Sequence, residues 1–250
     1  MADDNRSEQN NEITSEASNK YSLSIFFPCY NEEDSLETLV AKSVETASKI
    51  TSDYEIIIVN DGSSDKTGEI ANRLAEQNGQ VRVVHHQTNS GYGAALQSGF
   101  RTATKDLVFY TDGDGQFDIG ELPKLMPLIT ECDIVSGYRI NRQDGSIRKL
   151  NALCWGTLVC ILFKMRVRDI DCAFKLYKRE IFDNIEMQST GALIDAEILA
   201  RAMRKGYTIN QIGVKHYPRL AGSSTGANLS VILRAFRELF KLRKEIMRDR

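Results

Sequence analysis

The chain has 250 residues, of which 42% are hydrophobic and 26% are charged, and these proportions suit one globular domain with a substantial core. The formal net charge is −2, so no global positive field indicates binding to nucleic acid. Five scattered cysteines without a Cys-x-x-Cys pair argue against a disulfide framework or a zinc site, and favour reduced core thiols in a cytosolic protein. No apolar stretch reaches the roughly 18 residues of a membrane span.

The first 20 residues are polar, acidic and almost free of large apolar side chains, so they predict a disordered tail. They lack the positive start and the apolar segment of a secretory signal. We expect a catalytic-type domain over residues 21–226 and a basic amphipathic helix over residues 227–250.

From residue 22 onward, short apolar runs alternate with helical periodicity. Strands are predicted at 23–27, 56–59, 81–85, 107–110, 133–136, 172–177 and 208–214. Helices are predicted from a capping box at 34–37, around 70–75, and over 93–101, 147–163 and 194–205. Apolar strands that alternate with helices indicate an α/β fold with a mostly parallel sheet covered on both faces.

Four polar loops follow predicted strands, at 28–33, 60–65, 86–93 and 112–116. In parallel sheets, ligands bind beyond the carboxyl ends of the strands, so the loops predict one shared site. Asp112 and Asp114 flank one glycine directly after a buried strand. Two such carboxylates suit a divalent cation, although a short Asp-x-Asp pair also suits a solvated turn.

Four segments together carry a family resemblance: Phe27-Pro28-Cys29-Tyr30-Asn31-Glu32-Glu33, Val59-Asn60-Asp61-Gly62-Ser63-Ser64-Asp65, Asn89-Ser90-Gly91-Tyr92-Gly93-Ala94-Ala95 and Asp112-Gly113-Asp114-Gly115-Gln116. In this order they resemble the family-2 glycosyltransferases, and most closely the polyprenyl-phosphate, dolichol-phosphate mannose synthase-like branch. The resemblance covers residues 22–226. It implies the GT-A (nucleotide-diphospho-sugar transferase) fold.

The resemblance also implies a donor site. Its residues are Pro28, Tyr30, Glu32, Asp61, Gly91, Gly93, Asp112, Arg219 and Ser223. The first segment would line the nucleobase pocket, Asp61 would face the base or ribose, and the loop from Arg219 would close over the diphosphate. Thr225 stands where a lysine is common in that loop, which puts one cationic contact in doubt. Asp65 is expected to cap the following helix instead.

The implied cofactor is Mg²⁺ or Mn²⁺, held by Asp112, Asp114 and Gln116. Such a cation would neutralise charge on the departing nucleoside diphosphate. Gly91 and Gly93 would let the backbone approach the donor closely.

On the acceptor side, the resemblance implies that Arg139, Arg148 and Ser146 hold a lipid phosphate. The same residues also fit a solvated basic loop. Catalytic carboxylates are sought among Asp114, Asp169, Asp171 and Asp195, with Glu197 beside them. A dianionic phosphate needs no base, so the choice among these carboxylates stays open.

Two segments have a membrane-surface character. Residues 152–163 are almost wholly apolar with basic flanks, which fits an interfacial helix or, alternatively, a buried core helix. The C-terminal segment has apolar residues on one helical face and basic residues on the other, which fits a membrane surface or an oligomer face.

The implied function is metal-dependent inverting transfer of a hexose from a nucleotide sugar, of the GDP-mannose or UDP-glucose type, to a polyprenyl or dolichyl phosphate. The expected location is peripheral, on the cytoplasmic face of a membrane, with a homo-oligomer or a membrane partner subunit as possible assemblies. Three alternatives stay open: the same chemistry on a soluble sugar, polysaccharide or protein; a non-catalytic nucleotide-sugar-binding scaffold; and a nucleotidyltransferase.

Overall fold

The computed structural model describes residues 20–140, 146–218 and 229–248, and within these ranges the side chains of 146–152 and 229–236 are outside the description. The predicted tail therefore lies outside the described residues except for Lys20.

The described residues contain a seven-stranded sheet in the order β3-β2-β1-β4-β6-β5-β7. Its strands are β1 (Leu23–Cys29), β2 (Tyr54–Asn60), β3 (Val81–His85), β4 (Leu107–Thr111), β5 (Ile134–Ile140), β6 (Phe174–Lys178) and β7 (Ile209–Lys215). β6 is antiparallel to both of its neighbours, and the other pairs are parallel. The expected mostly parallel sheet is thus confirmed.

Helices cover the sheet. They are α1 (Leu36–Ile50), α2 (Thr67–Gln77), α3 (Tyr92–Thr102), α4 (Met126–Ile129), α5 (Ser146–Phe163), α6 (Ile181–Asn184), α7 (Ile194–Arg204) and α8 (Leu229–Arg248), with a 3₁₀ helix at Ile119–Leu125. Helices α3, α5, α7 and α8 coincide with predicted helices within two residues at each end, whereas α4 and α6 were not predicted. The central strands β1, β2 and β4 are buried at every residue except Pro28 and Tyr54, which are partly exposed, as expected of apolar strands between two helical layers.

The predicted capping box at Asp34–Glu37 is wrong. Helix α1 begins at Leu36, and no side chain at its start caps it. The hydroxyl of Ser35 instead donates to the carbonyl of Gly113, at 2.7 Å. A long-range partner has therefore displaced the local motif, and it ties the start of α1 to the loop after β4.

Aromatic packing fixes α3 on the sheet. The rings of Phe26 and Phe100 meet edge to face with centroids 4.8 Å apart, and Phe100 meets Tyr110 in the same way at 5.6 Å. Gly99 makes this close approach possible, because a Cβ there would lie 2.2 Å from the Phe26 ring.

The C-terminal helix packs on the domain. Leu239, Leu242 and Ile246 are buried, and α8 contacts α5 and α7. The Arg243 Nε donates to the carbonyl of Leu162 near the end of α5, at 3.1 Å. No helix in the described part of the chain is both long and apolar enough to cross a membrane. Cys154 on α5 is exposed, so the expectation that all five cysteines lie in the core is wrong.

We expect Gly99→Ala to lower the free energy of unfolding by about 1–3 kcal/mol, because the added methyl overpacks the Phe26 ring. Gly79→Ala is the matched control, since a Cβ there meets nothing within 4 Å, and it should change stability by less than about 0.5 kcal/mol. Chemical denaturation measures both values. Equal stability of the two variants would contradict the packing described.

Candidate active site

The candidate site lies where the carboxyl ends of the parallel strands meet. Asp61, Asp112 and Ile140 follow or end strands β2, β4 and β5 at this edge. Because β6 runs in the opposite direction, the segment before it, residues 169–173, reaches the same edge. Strand reversal therefore brings the predicted acceptor segment to the predicted donor loops.

The loop after β4 is held in a fixed shape by its neighbours. A Cβ on Gly113 would lie 2.8 Å from the Cys29 Sγ, so only glycine fits between Asp112 and Asp114. Asp114 Oδ1 accepts the backbone N–H of Gln116 at 3.1 Å. With the bond from Ser35 to the Gly113 carbonyl, these contacts fix the backbone of the loop that carries Asp112 and Asp114.

Asp112 is the most perturbed carboxylate of this loop. Its Oδ1 is buried and has no hydrogen-bond partner among the residues that the structure describes. Burial and the nearby charge of Asp114 raise the pKa of Asp112 to about 7, while a hydrogen bond from Tyr92 acts the other way. A buried carboxylate oxygen without a proton donor fits a cation ligand.

Gln116 joins this loop to the segment after β7. Its side-chain amide N–H donates to the Tyr217 carbonyl at 3.1 Å, and its backbone carbonyl accepts the Tyr217 N–H at 2.8 Å. The side-chain oxygen of Gln116 takes part in neither of these two bonds. The ring of His216 stacks edge-on against Phe117, at 5.1 Å between centroids. His216 was missed from the sequence, although it stands only three residues before Arg219.

No group of three His, Cys, Asp or Glu side chains within the described ranges converges closely enough to hold a metal ion. The residues that fit a cation here are accordingly Asp112 and Asp114, with the amide oxygen of Gln116 beside them.

The first two loops are hydrogen-bonded to each other. Asn31, in the left-handed conformation at φ 57°, accepts the Ser64 N–H at 2.8 Å. Asp65 accepts the N–H groups of Thr67 and Glu33, at 2.9 and 3.2 Å, so it does cap α2 as expected. Tyr30 is 47% exposed, and its contact with a nucleobase stays a prediction.

Asp61 holds the third loop. It is buried, and it accepts the N–H groups of Ser90 and Gly91 at 2.9 and 3.0 Å and contacts the His86 ring at 2.6 Å. These bonds use the carboxylate within the protein, and its contact with base or ribose stays a prediction.

The glycines of the third loop serve packing. A Cβ on Gly91 or Gly93 would lie 2.8 or 2.5 Å from the carbonyl of Thr190 or Ser189. Gly93 also donates its N–H to the Thr190 carbonyl at 2.9 Å. Their small size therefore admits the loop before α7, which is a reason that the sequence did not reveal.

Arg139 and Asp169 form a two-bond ion pair. The Nε and Nη2 of Arg139 each lie 2.7 Å from an Asp169 oxygen, and both side chains are only 14% exposed. The bonds to Asp169 raise the pKa of the guanidinium against the opposing effect of burial. The predicted phosphate ligand is therefore present at the site and is oriented by a carboxylate.

Asp171 lies beside this pair. Surrounding protein atoms and the negative charge of Asp195 raise its pKa to about 6, although the residue keeps an exposed surface. A carboxylate with this pKa and some solvent access is suited to accepting a proton near neutral pH.

Asp195 is placed differently from the other predicted carboxylates, because only 3% of it is exposed. It accepts a 2.8 Å bond from the Lys175 ammonium and a very short one from the Tyr110 hydroxyl. The sequence does not reveal that Lys175 and Tyr110 both bond Asp195, since the three residues lie in separate elements of the fold. A direct catalytic role for Asp195 stays a prediction.

Four predicted residues cannot be placed. Arg219 and Ser223 lie outside the described residues, and the side chains of Ser146 and Arg148 at the start of α5 are likewise outside the description. Their roles stay predictions. Pro28 and Glu32 do lie at the end of β1, next to Gly113.

A family model settles the class of protein. The model of glycosyl transferase family 2 matches residues 24–186. The chain belongs to this family. The chain shares 32% identity over 215 residues, 84% of its length, with the undecaprenyl-phosphate 4-deoxy-4-formamido-L-arabinose transferase of Serratia proteamaculans. It shares 31% identity over 79% of its length with the glycosyltransferase AglD of Haloferax volcanii.

A third relative is the dodecaprenyl-phosphate galacturonate synthase of Rhizobium johnstonii, with 32% identity over 66% of this chain. This chain spans 33% of AglD, 64% of the Serratia protein and 50% of the Rhizobium protein.

Solved structures confirm the GT-A fold. Glucosyl-3-phosphoglycerate synthase from Mycobacterium tuberculosis, in complex with Mn²⁺, UDP-glucose and phosphoglyceric acid, superposes with a TM-score of 0.69 at 18% identity. That alignment covers 94% of this chain and 83% of the synthase chain. A complex of the same synthase with Mg²⁺ and UDP gives a TM-score of 0.67 at 19% identity.

We expect Mn²⁺ with UDP to raise the melting temperature of the wild-type chain. When the ligand concentration is 100 times its dissociation constant, binding raises the free energy of unfolding by about 2.7 kcal/mol. Asp112→Asn should lose most of this shift, because the amide removes the charge at the buried oxygen. Asp118→Asn is the control, since that carboxylate accepts the Gly120 N–H at a nearby turn. Thermal unfolding monitors all three; an undiminished shift in Asp112→Asn would contradict this cation site.

Proposed function

We propose that this family-2 transferase moves a hexose from a nucleotide sugar to a polyprenyl phosphate, with inversion at the anomeric carbon. One observation carries the proposal. Lys175 donates to the Ile170 and Cys172 carbonyls on either side of Asp171 and to Asp195, and Asp195 also accepts from Tyr110, which lies two residues before Asp112 in the chain. Donor and acceptor groups therefore meet at one place in the fold.

The donor would lie across the four loops. Tyr30 would stack on the base, and Asp112 and Asp114 with the Gln116 amide oxygen would hold Mg²⁺ or Mn²⁺ against the diphosphate. Diphosphate oxygens would complete the coordination. When bound, the cation supplies charge neutralisation for the leaving nucleoside diphosphate. Two of the solved neighbours are complexes of the synthase with UDP and Mn²⁺ or Mg²⁺, which supports this assignment.

The acceptor would enter at Arg139. A phosphate oxygen attacks the anomeric carbon while the bond from that carbon to the diphosphate oxygen breaks, and the electron pair leaves with the diphosphate. Asp169 occupies the Nε and Nη2 edge of the Arg139 guanidinium and orients it, and the N–H groups on the other edge hold the phosphate. Asp171 can take the remaining proton from a monoanionic phosphate, and a dianion needs no base.

The printed names of the relatives support a lipid acceptor, because the Serratia and Rhizobium proteins are an undecaprenyl-phosphate transferase and a dodecaprenyl-phosphate synthase. Those names give different sugars, so the proposal does not specify which sugar is transferred.

A lipid acceptor requires a membrane face, and α5 provides a candidate. Leu153 and Ile161 on this helix are 65% and 69% exposed. They border a groove of about 530 Å³ whose rim includes Arg166 and Arg168. Exposed apolar side chains beside the cations Arg166 and Arg168 fit the headgroup boundary of an anionic membrane, where the protein would bind peripherally.

The transfer itself is tested with labelled nucleotide sugars, including UDP- and GDP-linked hexoses, together with a polyprenyl phosphate and Mn²⁺. We expect one label to enter the organic phase. Asp114→Ala should reduce that transfer at least a hundredfold, because the diphosphate loses its cation, while circular dichroism shows an intact fold. Asp118→Ala should stay active.

Full activity of Asp114→Ala with added Mn²⁺ would refute the metal assignment. Label that stays in the aqueous phase on a sugar or protein would replace the lipid acceptor with a soluble one.

Membrane contact is tested by flotation with vesicles that contain an anionic lipid. The pair Leu153→Glu with Ile161→Glu should weaken binding more than tenfold, because two apolar contacts are lost and charge is added. Gln77→Glu with Gln80→Glu adds the same charge near β3, at the opposite edge of the sheet, and should bind within about threefold of the wild type. Equal loss in both variants would show that only net charge matters.

A further inference from the structure

Lys175 is a fully buried lysine at the centre of the candidate site, with 0% exposure. Its ammonium lies 2.6 Å from the Cys172 carbonyl, 2.9 Å from the Ile170 carbonyl and 2.8 Å from Asp195 Oδ1. The Tyr110 oxygen is the fourth neighbour, at 3.1 Å. An ammonium has three N–H donors, so every proton is engaged.

These partners belong to three separate parts of the site. The two carbonyls flank Asp171 in the segment before β6. Asp195 is in the first turn of α7. Tyr110 lies in β4, two residues before Asp112, and its hydroxyl also bonds Asp195. One side chain therefore connects the acceptor segment, the helix behind it and the strand that carries the donor loop.

Stability alone does not account for a lysine here. An ammonium taken out of water has a large desolvation cost, and an apolar side chain of the same size commonly packs as well. The neighbours Phe174 and Leu176 on the same strand are buried and apolar. Unlike an apolar side chain, lysine forms directional hydrogen bonds, and these fix the positions of two backbone carbonyls.

We infer that Lys175 is a positioning residue that sets residues 170–172 at a fixed place relative to the donor loop, and thereby places Asp171 and the Asp169–Arg139 pair for the acceptor phosphate. This inference rests on the proposed transfer to a lipid phosphate. It goes beyond that proposal because Lys175 touches neither substrate and acts through the segment that it holds.

The test separates the two substrates. Lys175→Met should raise the KM for polyprenyl phosphate at least tenfold, because the carbonyls of Ile170 and Cys172 lose their common donor. The KM for the nucleotide sugar should change less than threefold, and the slow hydrolysis of the nucleotide sugar by water should continue. The matched control is Lys178→Met, which removes an ion-paired lysine from the other end of β6 and should leave both KM values unchanged.

Lys175→Met removes the ammonium that pairs with the buried Asp195, and this loss can prevent folding. In that case a second variant tests the inference. Lys175→Arg keeps the charge, but its planar fork cannot reproduce the three bonds of the ammonium. We expect it to fold and still to raise the acceptor KM selectively.

Failure of Lys175→Arg to fold, an unchanged acceptor KM, or an equal change in both KM values would overturn the inference and leave Lys175 with a structural role only. If the wild-type chain itself transfers no sugar to the lipid phosphate, the proposed function fails and the inference falls with it. Wild-type transfer with an unaltered variant refutes the inference alone.

Discussion

The reversed strand β6 is the constraint on which the site depends. It lies between β4 and β5 and runs against both. A parallel strand in this place would put the Asp169–Cys172 segment at the far edge of the sheet, away from Asp112. The reversal instead delivers Asp169 and Asp171 to the edge where the parallel strands end. Catalytic chemistry between two substrates requires such a meeting of segments, and here the topology alone provides it.

The meeting has an electrostatic cost. Asp112 and Asp171 each have a pKa raised by burial and by the charges of neighbouring carboxylates, with Asp195 contributing to both. Lys175 offsets part of this charge from inside the fold and lowers both pKa values. The negative charge that Lys175 does not offset would attract a bound cation, most strongly beside the unpartnered Asp112 oxygen. The repulsion between these carboxylates thus favours a cation at the loop after β4.

Much of the fold could be predicted from the sequence, because apolar runs such as Ile56–Val59 and helical spacing such as that around Ala71 are local signals. The four donor loops were equally visible, since each follows such a run. The contacts that the sequence did not reveal join residues far apart in the chain. Ser35 bonds Gly113 instead of capping its own helix, and Gly91 and Gly93 make room for residues 189–191. The sequence does not reveal the bonding partners of Lys175, because they lie in three segments that only the tertiary fold brings together.

The central claim is that the loop after β4 holds a cation against the donor diphosphate. It is tested most directly by crystals of the chain grown with Mn²⁺ and UDP, with anomalous diffraction recorded at the manganese edge. The account predicts one strong peak at bonding distance, about 2.0–2.3 Å, from Asp112 Oδ1 or Asp114, bridged to the diphosphate oxygens. A bound UDP with no such peak, or a peak away from both carboxylates, would contradict it.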